Sequence, residues 1–467
     1  MKRMFPGVVV ACALALLLAS CSGGGSQPAA TSTATQPTVA PATVYITGSD
    51  APLPSVLAFQ ITINSLSLSD GANTVQLLSE PTTLEFSRLL GLRALLALGS
   101  VNPGAYTSVT VSLASPVISY LDLSTTPASV GTINGTLTSS TITKNLPVPL
   151  TVASNGLGGL HFHFDLRDSL AVDGAGNITG SVNPHIGIRA LQVDDDDAQI
   201  DELHGGLVST NTADNSFVIQ RSNGRQLTIR VNSQTQWDGT TGLAAMATPA
   251  IIEVSGKIQA DGSLLADHVE LTTSDRNFLA GLVLDAAPAS GAASSLTLLV
   301  REEMPPVTGM PVGFPAKVNI GATTVFNIYR FGLPVDQLLF NSSELVRGQR
   351  IAIGGVADTT VNPPVMNARR ILLHRQGLDG SLNPGSVVIT SGNNGSFTLV
   401  ANGFFGYLFG APLKVMTSSM TRFINVSGLS ALDNGTAVPL RVVGLLLKDS
   451  GGNPVLVAGA VIANPEQ

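Results

Sequence analysis

The chain is poor in cysteine, in charge and in aromatic rings. Its 467 residues hold two cysteines, Cys12 and Cys21, so no disulfide can staple the chain beyond residue 21. Packed sheets must supply its stability instead. Charged residues make up 12% of the chain and the formal net charge is -7, with Lys and Arg scattered along the sequence. That balance excludes nucleic acid as a partner, and the dispersal predicts no basic patch. Trp237 is the single tryptophan and aromatics are 5%, too few for the row of ring platforms a sugar-binding face uses. Beyond the N-terminal stretch no uncharged apolar run of about 18 residues occurs, so no transmembrane helix is expected. There is no nucleophile elbow, no His-Glu-x-x-His pair and no phosphate-binding glycine loop. The chain is therefore not expected to be an enzyme, and nothing in it calls for a cofactor.

What is present begins with an export address. Lys2 and Arg3 precede an apolar run, Val8 to Leu18, that is too short to span a bilayer. Leu18-Ala19-Ser20-Cys21 follows at once. This resembles the lipobox of bacterial lipoproteins. The resemblance implies that residues 1–20 are a signal peptide and that Cys21 becomes an acylated N-terminus. It would carry more than one fatty chain, palmitate among them, which makes anchoring stable. Ser22 in place of Asp implies the outer membrane rather than inner-membrane retention. Residues 21–41 are rich in Ser, Gly, Thr, Ala, Pro and Gln and carry no charge, which predicts a flexible spacer.

The remainder reads as all-β. Thr, Ser, Val, Leu, Gly and Pro dominate, and apolar runs are short and alternate. Residues 42–193 read as a β-sandwich. Phe59 to Leu68 alternates with one slip near Asn64-Ser65 that predicts a bulge. Ser87 to Leu98, rich in leucine, is expected to be a helix capped by Ser87. Strand Thr43–Thr47 before Asp50-Ala51-Pro52, the turn Pro103-Gly104-Ala105-Tyr106, and His161-Phe162-His163-Phe164-Asp165-Leu166 with Asn183-Pro184 resemble the lipoprotein family known as domain of unknown function 4382. The resemblance implies a sandwich outside the cytoplasm and brings no chemistry.

Residues 194–203 read as an acidic linker, and three units of one design follow at 204–273, 278–376 and 377–465. Each has a Thr-x-aromatic triplet: Thr235-Gln236-Trp237, Thr324-Val325-Phe326 and Thr421-Arg422-Phe423. Each has a strand ending in glycine, at Gly256, Gly355 and Gly444, which predicts a bulge at a barrel corner. This frame resembles domain of unknown function 5666, best in the first unit. Small closed barrels are the expected solution, because closure removes sheet edges.

Three clusters carry candidate chemistry. His161 and His163 share one face of a strand, and His185 follows about twenty residues on. Convergence of the three imidazoles would hold zinc; strand histidines facing solvent are the plain alternative. Asp194, Asp195, Asp196 and Asp197 offer carboxylates to calcium but lack the order of an EF-hand; a solvated linker kept apart by its own charge is the plainer reading. Asp165 and Asp168 lie near the histidines without a nucleophile. Trp237 is expected to pack in the core, and Tyr106 to bury its ring and give its hydroxyl to the backbone. The function expected is that of a lipid-anchored structural or interaction module of the cell envelope, touching the membrane through its lipid and an envelope protein or polysaccharide through its loops. Binding of a carbohydrate or small ligand, or of metal, is the alternative.

Overall fold

Alternating apolar residues build strands almost throughout. The computed structural model describes residues 40–465 apart from 52, 54, 79, 90–91, 123–128, 175–176, 192–197, 289–290, 330–337 and 434. The signal, Cys21, nearly all of the spacer and Asp194–Asp197 lie outside the described residues. The described chain falls in one compact unit, Val39–Gln467. Among the described residues no helix is long and apolar enough to cross a membrane.

The N-terminal domain contains β1 (Ala42–Ala51), β2 (Val56–Ser69), β3 (Thr74–Gln76), β4 (Thr82–Glu85), β5 (Ala94–Val101), β6 (Gly104–Asp122), β7 (Ser129–Asn134), β8 (Thr136–Leu137), β9 (Thr141–Val152), β10 (Leu157–Asp165), β11 (Leu170–Val172), β12 (Ile178–Val182) and β13 (Ile186–Ala190). One sheet runs β13-β10-β1-β5, and a second is built on β2 and β6. Their inner faces share a core. Val44, Ile46, Phe162 and Phe164 meet Phe59, Ile61, Val109 and Leu113, all nearly fully buried. Phe164 lies 5.3 Å from Phe59 and 5.2 Å from Phe86, ring to ring. The bulge expected near Asn64-Ser65 is present as a register shift between Ile63 and Ser65.

The helix expected over Ser87–Leu98 does not form. A 3-10 turn, Ser87–Leu89, is followed by strand β5. The reason is double burial. Ala94 and Leu96 face the sandwich core, whereas Leu95 and Leu98 pack with the next domain. A strand covered on both sides is apolar at every position, and periodicity alone cannot separate it from a buried helix.

Three barrel units follow. The first holds β14 (Gln199–Asn211), β15 (Ser216–Gln220), β16 (Gln226–Arg230), β17 (Gln236–Asp238), β18 (Ile251–Ile258) and β19 (Leu264–Thr273). The second holds β20 (Asn277–Ala287), β21 (Ser295–Met304), β22 (Pro315–Ile328), β23 (Arg350–Asp358) and β24 (Val365–Leu373). The third holds β25 (Gln376–Leu382), β26 (Val388–Ser391), β27 (Asn394–Ala401), β28 (Leu413–Thr417), β29 (Arg422–Ile424), β30 (Pro439–Lys448) and β31 (Pro454–Ala463). In the second unit β20-β21-β22-β24-β23 is a closed barrel. In the first, β16 pairs with β19 as well as β15, and in the third β27 pairs with β25 as well as β28, so each five-strand path returns to its start. β14 begins at Gln199, so Asp201 and Glu202, counted above with the acidic linker, are strand residues.

The Thr-x-aromatic triplet has one role in all three. Thr235, Thr324 and Thr421 each donate from Oγ1 to the carbonyl of Ala266, Ala368 and Ala458, at 2.8, 2.8 and 2.9 Å. Each also accepts a backbone N–H from a residue three before it, Asn232, Gly321 or Ser418. Trp237, Phe326 and Phe423 are half-buried against their own barrel cores. Gly256, Gly355 and Gly444 each sit at a register shift, as the strand pattern predicts.

Apolar contacts tie the units together. Tyr45 and Leu95, on the outer face of the first sheet, join the core of the first barrel unit. Ile251 meets Phe278 and Tyr329 between the first and second. Leu445, Leu447 and Val455 join the core of the second from the third. Leu57 meets Leu282, Leu299 and Phe404 where the sandwich touches the later units.

Candidate functional site

The basic residues that look dispersed in the sequence converge in space. A cavity of about 550 Å³ opens where the sandwich and all three barrel units meet, within the size range of small-ligand sites. Arg88, Arg93 and Arg167 enter it from the sandwich, Lys257 from the first barrel unit, Arg301 and Arg350 from the second, and Arg375 and Arg422 from the third. Against these eight stand three acids, Asp201, Asp267 and Asp379. The expectation of no basic patch is therefore corrected: residues spaced from 88 to 422 share one wall set. Leu53, Val56, Leu92, Leu282, Phe404 and Phe405 supply the apolar part of the lining. Phe404 and Phe405 lie on α2 (Gly403–Phe409), after α1 (Leu166–Ser169) in the sandwich.

Some of these cations are already matched. Arg350 makes a two-pronged contact with Glu202, whose side chain is fully buried. Arg88 lies 3.5 Å from Glu302. Asp201 is shared by Arg93 and Arg375 at 4.0 and 3.9 Å. Asp379 accepts two bonds from Arg441. The others are not matched. Arg167, Lys257 and Arg422 are exposed and have no side-chain partner among the described residues. Arg301 donates only to the carbonyl of Leu57, and burial pushes its guanidinium below its usual range.

Beside Arg301 sits Asp50, 5% exposed, with neither carboxylate oxygen hydrogen-bonded. Burial holds its carboxyl well above the usual range, and Glu85 and Asp165 push it further. The folded state thus favours the proton. Stability contributed this way is present at low pH and is lost as pH rises from the unfolded carboxylate value, about 3.9, through the raised folded one. Asp50→Asn is expected to raise Tm at pH 8 and to change it little at pH 4. Equal pH slopes in both proteins would refute this.

Behind the cavity lies a buried charged layer. His204 Nδ1 is 3.2 Å from Glu302 and Nε2 is 3.2 Å from Glu253. Burial alone would push His204 down, yet Glu302 and Glu253 hold it at about 10. His374 is 2% exposed, and burial pushes it down to about 4. Burial works against Glu302, but Arg88 and His204 hold it at about 2. His268 lies 3.3 Å from Asp238 and meets the buried Tyr329 edge-on. A second cavity of about 450 Å³ shares Arg88, Asp201 and Arg301 with the first and reaches Glu202 and His204.

The histidines singled out from the sequence are arranged otherwise. Ser49 Oγ bridges His161 Nε2 at 2.9 Å and His163 Nδ1 at 3.1 Å, and Thr47 Oγ1 meets His161 Nδ1 at 2.9 Å. His161 is buried rather than facing solvent. His185 lies 3.8 Å from Asp168, with both side chains exposed. Among the described residues, the compact acid and imidazole triplets are Asp165/Asp168/His185, Glu202/Glu253/His374 and Asp238/His268/Glu270. The triplet His161, His163 and His185 is not one of them, because the β1 hydroxyls occupy the first two imidazoles and His185 lies beyond the end of β10, opposite Asp165. Asp165 caps α1 through the Asp168 N–H. Tyr106 donates to the Asn102 carbonyl at 2.7 Å with its ring buried.

No curated protein matches the chain. Residues 205–270, which run from β14 to β19 of the first barrel unit, match the family model of domain of unknown function 5666.

Proposed function

We propose that this chain is a non-enzymatic binding protein of the cell envelope, tethered by acylated Cys21, whose ligand is a small anion or an anionic group on an envelope polymer. One observation carries the reading. On a chain of net charge -7, eight basic side chains from four domains surround a single ligand-sized cavity, and three of them, Arg167, Lys257 and Arg422, have no acidic partner among the described residues. Guanidinium groups bind carboxylate and phosphate through paired N–H donors, and Phe404 and Phe405 offer an apolar surface beside them. Among the described residues the lining has no histidine or cysteine, which favours holding a ligand over turning it over. The three barrel units are read as copies of one module, the first of them the matched domain, and the sandwich as the 4382-like domain. Their role is to bring charges together from distant parts of the chain.

Calorimetric titration of the purified chain with inorganic phosphate, citrate, a phosphorylated sugar and its neutral parent sugar tests the reading. At least one anion should bind and the neutral sugar should not, with affinity falling as salt rises. Arg301→Met with Arg422→Ser should weaken that binding at least tenfold. Equal binding of sugar and sugar phosphate, or silence from every anion, would sink the proposal. Labelling with a palmitate analogue should mark the wild-type chain in cells and leave Cys21→Ser unmarked.

A further inference from the structure

The first two barrel units face each other across acid and imidazole groups that the cavity does not use. Glu202 comes from β14, Glu253 from β18, and His374 directly follows β24. They are 1%, 0% and 2% exposed. One ligand atom from each lies within 4.8 Å of the other two. His374 Nδ1 is 3.9 Å from Glu202 Oε2, and His374 Nε2 is 3.8 Å from Glu253 Oε2. Neither oxygen of Glu253 and neither ring nitrogen of His374 makes a hydrogen bond. Protein interiors leave few such atoms orphaned, and an ion is one of the standard reasons when they do.

We infer that Glu202, Glu253 and His374 bind one zinc ion that joins the first two barrel units. One imidazole and two carboxylates form a nitrogen and oxygen donor set that suits zinc. Tetrahedral ligands at ~2.0–2.2 Å from zinc stand roughly 3.3–3.6 Å apart; one ring nitrogen of His374 and one oxygen of each glutamate lie within 4.8 Å of one another, so side-chain rotation must draw the set together by up to about an ångström. The contact between His204 Nε2 and Glu253 Oε2, at 3.2 Å, also lacks hydrogen-bond alignment. Glu202 gives lone pairs to Arg350, but each carboxylate oxygen keeps a second one for a metal. The smaller cavity reaches Glu202 and His204, which gives an ion a way in. His204 lies between Glu253 and Glu302, 3.2 Å from each carboxylate, and supplies charge next to the ligand carboxylate.

The experiment uses the purified full chain. Elemental analysis should find close to one zinc per chain, and removing it with a chelator should lower Tm, with recovery on adding zinc back. Cobalt added to the stripped chain should give the visible d–d absorption of a tetrahedral site. Glu253→Gln, which keeps the side-chain shape, and His374→Gln should each abolish that spectrum and weaken zinc binding at least tenfold, while His185→Gln leaves both unchanged. The cobalt titration of the wild-type chain stands whether or not the variants fold. No cobalt spectrum, no retained zinc and a Tm indifferent to chelator would overturn the inference. His204 as an imidazolium would then be the counterion of Glu253.

Discussion

Arg350→Ala is expected to destabilise the chain by about 3–5 kcal/mol, the cost of leaving a buried charge without its partner. The charge is Glu202, with 0% side-chain exposure. Burial pushes its carboxyl up, yet Arg350, and after it His374, hold it well below the usual range. Arg350 also bonds the Arg375 carbonyl and lines the large cavity. Removing it would loosen the contact between the first and second barrel units and weaken ligand binding together. The control is a double replacement, Arg350→Met with Glu202→Leu. Swapping a buried pair for apolar groups of similar volume is often neutral or stabilising by ~1–4 kcal/mol, so the double variant should recover most of the loss while still binding anions poorly. Chemical denaturation with a chelator present throughout keeps any bound cation out of the comparison. If the single and double variants were equally unstable, packing rather than the uncompensated charge would be responsible.

The same pair shows what the sequence did and did not reveal. Glu202 reads as the tail of an acidic linker because five acids precede it between Asp194 and Asp201. Nothing local signals that β14 starts at Gln199 and carries it inward. Glu253 offers a better signal: it lies inside Ile251-Ile252-Glu253-Val254, and an acid in an otherwise apolar strand needs a partner. The all-β class, the bulge in β2 and the glycine corners are legible because they are local, written in residues two apart. The triplet threonines are legible as a repeated spacing, although their alanine carbonyl partners lie 31 to 44 residues away. The cavity is not legible. Its arginines lie as far apart as residues 88 and 422, and only the packing of four domains brings them together. The surroundings of His161 and His163 are hidden for a related reason: the hydroxyls of Thr47 and Ser49 that engage them belong to a strand more than a hundred residues earlier.

Gly281→Ala should be as damaging as any single-methyl change in the chain, about 3 kcal/mol or more, the upper end of what overpacking costs. A Cβ at Gly281 would stand 1.8 Å from the Leu299 carbonyl oxygen on the paired strand β21, at the register shift after Ala280. The obstacle is backbone, so no side chain can swing aside. Gly256, Gly355 and Gly444 face the same problem, with partner carbonyls at 2.1, 2.2 and 2.2 Å. These corners also shape the large cavity. Leu282 follows Gly281 and lines the cavity, Val443 precedes Gly444 and lines it too, and Gln376, opposite Gly444 in β25, forms part of the same wall. The substitution should therefore cost anion affinity along with stability. Gly104 is the control: a Cβ there meets nothing within 4 Å. Alanine at that position restricts the unfolded chain and should be neutral or stabilising by up to ~1 kcal/mol. Thermal unfolding, with proteolysis mapped across 277–373, separates the two cases. If Gly281→Ala and Gly104→Ala behaved alike, the corner would be tolerant, and the tight closure of the second barrel around its glycine would be wrong.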